Sequence, residues 1–161
     1  MQKRNFLDSL VDKAIDINRE KMRKIVFPDT DDFVLEAASL IKEKRIAHPL
    51  ILGESPELMR RFSTSGFSNL NEDNILDYLR DDNKAKLHEF IREYMQLREQ
   101  DKKPISSEEA QANMRKPHYY GAMMVKKGLA SGMVTGASSS TKAHYPVFDI
   151  IKLAPGVTRT S

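Results

Sequence analysis

The chain of 161 residues is long enough for one domain with a sizeable core, and its 40% apolar and 30% charged residues are those of a soluble globular protein. Its 26 basic and 23 acidic residues leave a formal charge of only +3, and Asp8, Asp12, Asp16 and Glu20 alternate with Lys13, Arg19, Lys21 and Arg23, which favours a solvated helix face over the one-signed basic face of a nucleic-acid binder. The absence of cysteine excludes disulfides, thiolate metal sites and a cysteine nucleophile; no apolar run approaches the roughly 20 residues that cross a bilayer, and the first residues carry no apolar leader core, so a cytoplasmic protein without a membrane or nucleic-acid partner is expected.

In chain order, Phe6, Leu7, Leu10, Val11, Ala14, Ile15 and Ile17 have the three-and-four spacing of an amphipathic helix, predicted over 6–22. Residues 24–27 are short and β-favouring, and Pro28 ends them as the first strand. Asp29, Thr30, Asp31 and Asp32 are possible N-caps for a helix whose apolar stripe is Val34, Ala37, Ala38 and Ile41. Leu50, Ile51 and Leu52 form the second strand, closed by Gly53, so the three elements make a βαβ unit expected to be parallel and right-handed. Ser55 reads as an N-cap with Pro56 in the first helical position, opening a helix through Phe62. Residues 63–71 read as a loop with room for a short strand at its end.

Residues 82–100 turn helical again, with Leu87, Phe90, Ile91, Tyr94 and Leu97 on one face. Ser106 and Glu109 have capping-box spacing for a helix toward Met114, which Pro117 is expected to interrupt. A short helix over 119–127, stopped by Gly128, leads to a strand at 132–135, expected with 24–27 and 50–52 to be an inner strand of the sheet. The chain then breaks at Gly136 into Ser138, Ser139, Ser140 and Thr141, before a further helix near His144. Small hydroxyl residues between a strand's carboxyl end and a helix are where α/β sheets bind ligands, and free N–H groups with a helix dipole suit an anion such as phosphate. An ordinary strand-to-helix turn capped by serine has the same spacing.

Other chemistry is sparse. His48, His88, His118 and His144 are scattered, with surface or capping roles and no metal-ligand spacing. Asp31 and Asp32 sit at a helix start, where the dipole stabilises acidic residues. No phosphate-loop or dinucleotide glycine motif is present. The residues alone lead to one α/β domain able to bind an anion.

Several blocks carry a family resemblance. The run Lys24-Ile25-Val26-Phe27-Pro28-Asp29 with Val34-Leu35-Glu36-Ala37-Ala38 resembles the opening of phosphate acetyltransferases. Tyr120-Gly121-Ala122-Met123-Met124-Val125, Gly132-Met133-Val134-Thr135-Gly136-Ala137, Ser140-Thr141 and Ile150-Ile151-Lys152-Leu153-Ala154-Pro155-Gly156 are similar to later blocks of that family, in its order and across nearly the whole chain. Phosphate butyryltransferases and the acetyltransferase-like domains of some malic enzymes share the pattern.

The resemblance implies an α/β fold with a mostly parallel sheet and helices on both faces, three-layered and Rossmann-like, as the first part of a two-domain acyltransferase. On that view residues 1–161 are the N-terminal α/β domain, and the C-terminal half, which would hold most of the catalytic groups, is absent. The implied activity is reversible acetyl transfer between acetyl phosphate and coenzyme A, both as substrates, with no tightly bound cofactor. The full-length form is expected to be a homodimer and the fragment alone inactive. No catalytic residue can be carried over; the substrate-binding residues that can are Ser140, Thr141, Arg98 and Lys152. Three positions depart from the pattern: Ser131 replaces an aspartate, Tyr145 an arginine, and Phe33 a polar or basic residue. These departures suit the alternative, a non-catalytic acyl-CoA-binding or interaction module.

Overall fold

The computed structural model describes residues 6–136 and 145–152. The elements are α1 (Phe6–Ile17), β1 (Lys24–Phe27), α2 (Asp32–Glu43), β2 (His48–Leu52), α3 (Ser55–Thr64), β3 (Ile75–Leu76), α4 (Lys84–Gln100), α5 (Ser107–Met114), α6 (Pro117–Lys126) and β4 (Gly132–Met133), followed by a π-helical turn at Val147–Ile151. The strands form one sheet in the order β3-β2-β1-β4, and every pairing is parallel. The expected α/β class is borne out.

Alternation along the strands divides the core into two layers. Val26, Leu50 and Leu52 face one side, where they meet Leu87, Phe90 and Tyr94 of α4, Met114 of α5, and Tyr120 and Met123 of α6. Phe27 and Ile51 face the other, against Val34, Leu35 and Ala38 of α2 and Leu58 and Phe62 of α3. Helices therefore cover both faces, which is why the strands read as continuous apolar runs.

Several boundaries differ from expectation for local reasons. Helix α1 stops at Ile17, short of 22, because Asn18 turns its side chain onto the chain itself: Nδ2 donates to the Ala14 and Ile46 carbonyls at 2.8 and 2.6 Å, and Oδ1 accepts from Arg23 N–H at 2.6 Å. Of the four candidate caps before α2, Asp31 serves, accepting from Val34 N–H at 3.1 Å. Ser55 lies inside α3, and Glu54 precedes it as a cap residue without a side-chain bond. Pro117 opens α6 instead of interrupting a helix, since its fixed φ and missing N–H suit the first turn. Strand β3 lies beyond the 63–71 loop.

The strand expected at 132–135 is shorter and less central than anticipated. β4 holds only Gly132 and Met133, both half-buried, and among the described residues no strand lies beyond it. Val134 N–H still reaches Val26 O at 2.9 Å, but Thr135 and Gly136 turn across the end of β1. Near the C-terminus, His144, the expected start of a further helix, lies outside the described residues; Tyr145 and Pro146 lead into the π-turn, which buries Ile150 and leaves Phe148 exposed.

Helix α6 lies so close to the sheet that only glycine fits at position 121. A Cβ there would stand 2.8 Å from Met133 Sδ, 3.1 Å from Val26 Cγ1 and 3.4 Å from Leu52 Cδ1. The methionine can move, but the β-branched Val26 in the central strand cannot easily follow. Gly121→Ala should therefore destabilise the protein by about 1–3 kcal/mol in urea unfolding, despite alanine's better helix propensity. A neutral or stabilising result would mean that α6 sits further from the sheet.

The tyrosine cluster beneath α6 sets an alkaline limit. Tyr78 and Tyr120 stack with centroids 4.6 Å apart, and burial pushes both phenols up to about 12. An unfolded tyrosine ionises near pH ~10. The unfolded chain thus gains charge before the folded one does, so their contribution is intact below about pH 10 and lost as pH rises toward about 12. The urea midpoint should fall across that window while tyrosinate absorbance lags behind that of the unfolded chain. A midpoint that stays flat to about pH 12 would contradict the burial of these phenols.

Candidate functional site

Parallel sheets present their ligand sites at the carboxyl ends of the strands. Here Pro28 and Asp29 follow β1 directly, and the Asp29 side chain is only 8% exposed. A carboxylate so deeply placed costs free energy unless it is hydrogen-bonded. Two other elements supply donors. Thr135 Oγ1 and Gly136 N–H, at the exit of β4, both donate to Asp29 Oδ2, at 2.8 and 3.0 Å. His118 Nε2, in the first turn of α6, lies 3.0 Å from Asp29 Oδ1. Gly136 has φ +102°, a left-handed conformation natural to glycine, and at that point the chain leaves β4 for residues 137–144.

A second polar cluster lies on the neighbouring side of α6's first turn. Arg98 Nη1 pairs with Asp149 Oδ1 at 2.8 Å, and the Arg98 side chain is 14% exposed. Lys152 Nζ pairs with Asp101 Oδ1. Arg98 and Asp101 sit one turn apart at the end of α4, while Asp149 and Lys152 have the same spacing with opposite signs, so the two segments clasp reciprocally. The Tyr94 and Tyr119 hydroxyls stand 3.5 Å from Asp149 Oδ2, and burial, followed by mutual repulsion for Tyr94 and by the Asp149 charge for Tyr119, raises both phenols above their ordinary value. The Arg98 Nε has no hydrogen-bond partner among the described residues.

The structure thus brings two of the four expected binding residues, Arg98 and Lys152, into one cluster and pairs each with a carboxylate. Ser140 and Thr141 lie outside the described residues. Sequence reasoning missed four participants. Asp29 was grouped with the helix caps, and His118 with surface histidines, although they meet across 89 positions of chain. Asp101 and Asp149 went unnoticed, although Arg-x-x-Asp at 98–101 and Asp-x-x-Lys at 149–152 are complementary in charge at equal spacing. Among the described residues, no group of three histidines or carboxylates converges as a metal site.

A cavity of about 450 Å3 opens at the opposite, amino ends of β1 and β4, lined by residues including Met22, Lys24, Leu129 and Ser131. It lacks the buried, convergent polar groups found at the carboxyl ends. No described helix is long and apolar enough to cross a membrane.

Comparison with known proteins agrees with this architecture. The family model for phosphate acetyl/butaryl transferase matches residues 6–161. The phosphate acetyltransferase of Acetivibrio thermocellus is 35% identical over 159 residues, covering 98% of this chain and 44% of that protein. The phosphate acetyltransferase of Nitratidesulfovibrio vulgaris is 34% identical over 158 residues, covering 97% of this chain and 21% of that protein. The chain therefore spans less than half the length of these relatives. Among solved structures, a phosphotransacetylase from Streptococcus pyogenes superposes with a TM-score of 0.79 at 31% identity, covering 97% of this chain and 46% of that one. Matched in sequence over nearly all its length and in fold to such a structure, the chain belongs to the phosphate acetyl/butaryl transferase family.

Proposed function

We propose that this chain is the N-terminal α/β domain, residues 1–161, of a cytoplasmic, homodimeric acyltransferase that moves an acetyl group reversibly between acetyl phosphate and coenzyme A. In that reaction the coenzyme A sulfur forms a bond to the acetyl carbonyl carbon as the carbon–oxygen bond to phosphate breaks. The domain's part is to hold the phosphate end of the acyl donor. Ser140 and Thr141 hydroxyls, with backbone N–H groups beside them, would donate to its oxygens, each a charge-assisted hydrogen bond. The observation that carries this reading is the exit of β4: Gly136, fixed at the carboxyl ends of two parallel strands, leads directly into the run of small hydroxyl residues.

Arg98 and Lys152 are proposed as cationic contacts for the substrates' remaining phosphates. Each is held by a carboxylate, Asp149 and Asp101 respectively, so an anionic ligand engages them by displacing that partner. Catalytic groups are proposed to come from the remainder of a longer protein, leaving this chain alone without turnover. One observation favours a second reading. Tyr145, where the resemblance expects an arginine, is 53% exposed and offers no cation, which suits a domain that binds acyl-CoA without catalysis.

Amide-resolved NMR titrations separate these readings. Inorganic phosphate and coenzyme A are added in turn to the labelled chain. Phosphate should first shift the amides of residues 137–142. Thr141→Ala should weaken that binding by about tenfold, the worth of one charge-assisted hydrogen bond, with stability altered by no more than about 0.5 kcal/mol. Stationary 137–142 signals, with movement elsewhere, would refute the phosphate site. Tight coenzyme A binding by the chain without any phosphate response would favour the binding module.

A further inference from the structure

Many surface cations of this domain are matched by a carboxylate, as Arg19 is by Asp16, Arg60 by Glu57 and Lys127 by Glu93. Around Met22 the pattern changes. Lys21, Arg23 and Lys24 line the cavity at the amino ends of β1 and β4, and Arg45 lines a second cavity of about 440 Å3. The side chains of these four make no ion pair among the described residues. Met22 belongs to the walls of both cavities, and Glu20 is the one acidic residue among the described residues lining either. Apolar side chains lie between the charges: Ile17 and Leu129 in the first cavity and Ile15 in the second, with Ile17, Met22 and Leu129 exposed to solvent. The backbone beneath the cations is pinned from three sides. Arg23 N–H donates to Asn18 Oδ1 at 2.6 Å, His48 N–H to the Arg23 carbonyl at 2.8 Å, and Ser131 N–H to the Lys24 carbonyl at 2.8 Å. Little backbone therefore has to be ordered when a ligand arrives, which spares affinity.

We propose that the two cavities form one binding site for a medium-chain carboxylate, its head against Lys21, Arg23 and Lys24 and its chain laid over Met22 toward Ile15. Unmatched cations select an anion, since a negative charge among them is attracted by three groups and opposed only by Glu20. The apolar surface beside them selects an anion with an apolar body, because a bare phosphate would leave Ile17, Met22 and Leu129 in water. Methionine suits such a chain, being unbranched and able to follow its shape. A cavity of about 450 Å3 lies within the size range of small-molecule sites. The head belongs in the first cavity, because Arg19 in the second is already paired with Asp16. This site stands at the opposite end of the sheet from the strand-end site and does not depend on it. Acetyl phosphate, whose apolar part is a single methyl group, gains almost nothing from it.

The test titrates octanoate into the labelled chain, with acetate and octanol as controls. Octanoate should shift the amides of residues 17–24 and 128–131. Acetate, with no chain to lay over Met22, should bind more than about tenfold more weakly, and octanol, with no charge, about tenfold more weakly. Ser131→Asp adds a carboxylate to the lining and should weaken octanoate about fivefold, whereas the isosteric Ser131→Asn should leave it within about twofold. Met22→Gln, of similar length but polar, should weaken octanoate and leave acetate unchanged. Stationary signals at 17–24 and 128–131 overturn the proposal, as does equal binding of octanoate and octanol or an equal effect of Asp and Asn at position 131. Should Ser131→Asp not fold, Lys21→Gln decides: weaker octanoate binding upholds the site and unchanged binding overturns it.

Discussion

Everything in this domain is built against β1. It pairs with β2 on one edge and β4 on the other, and Val26 and Phe27 point into opposite layers with 0% and 1% exposure. Burial of this kind contributes roughly 1.5–3 kcal/mol for each large apolar side chain. A strand so placed has no freedom to shift register, because a slip of one residue would exchange the two faces. Its carboxyl end is therefore a fixed point, and Asp29 stands there. The carboxylate needs partners as much as the elements need an anchor, so α6 and the end of β4 converge on it.

The second polar cluster has a related logic. Arg98 and Asp149 are largely withdrawn from water, at 14% and 27% side-chain exposure, so their attraction is screened less than that of a surface pair such as Arg19–Asp16. Breaking such a pair leaves a partly buried charge alone, which costs more than the intact pair gains. The clasp ties the end of α4 to the π-turn, and the first turn of α6 lies between them. His118 faces Asp29 and Tyr119 faces Asp149. Adjacent residues on one helical turn thus join the polar group at the end of β1 to the Arg98–Asp149 cluster.

Much of the fold was legible because it is written in local periodicities. The apolar runs of β1 and β2, the stripe on α4 and the Ser106 cap, which accepts from Glu109 N–H at 3.1 Å, need only neighbours in sequence to be recognised. The errors arose where a residue had two local uses and a distant partner chose between them. Asp29 and Asp31 are both acceptable helix caps; Asp31 caps, and Asp29 is claimed by groups 89 to 107 positions away. Asn18 ends α1 early because the Ile46 carbonyl lies within its reach, which no spacing in 6–22 could reveal. That no described strand lies beyond β4 was illegible for the same reason, since an apolar run does not say what lies beside it. Arg98 and Lys152 were named through family resemblance, whereas Asp149 and Asp101, which pair with them, needed the folded chain.

The central claim is that ligand binds at the carboxyl ends of β1 and β4. Hydrogen-exchange mass spectrometry of the chain with and without acetyl phosphate tests it most directly, because one experiment surveys both ends of the sheet. Protection confined to peptides containing residues 27–30 and 132–142 is the expected result. Protection around residues 17–24 and 128–131 instead, where the cavity at the amino ends opens, would contradict it.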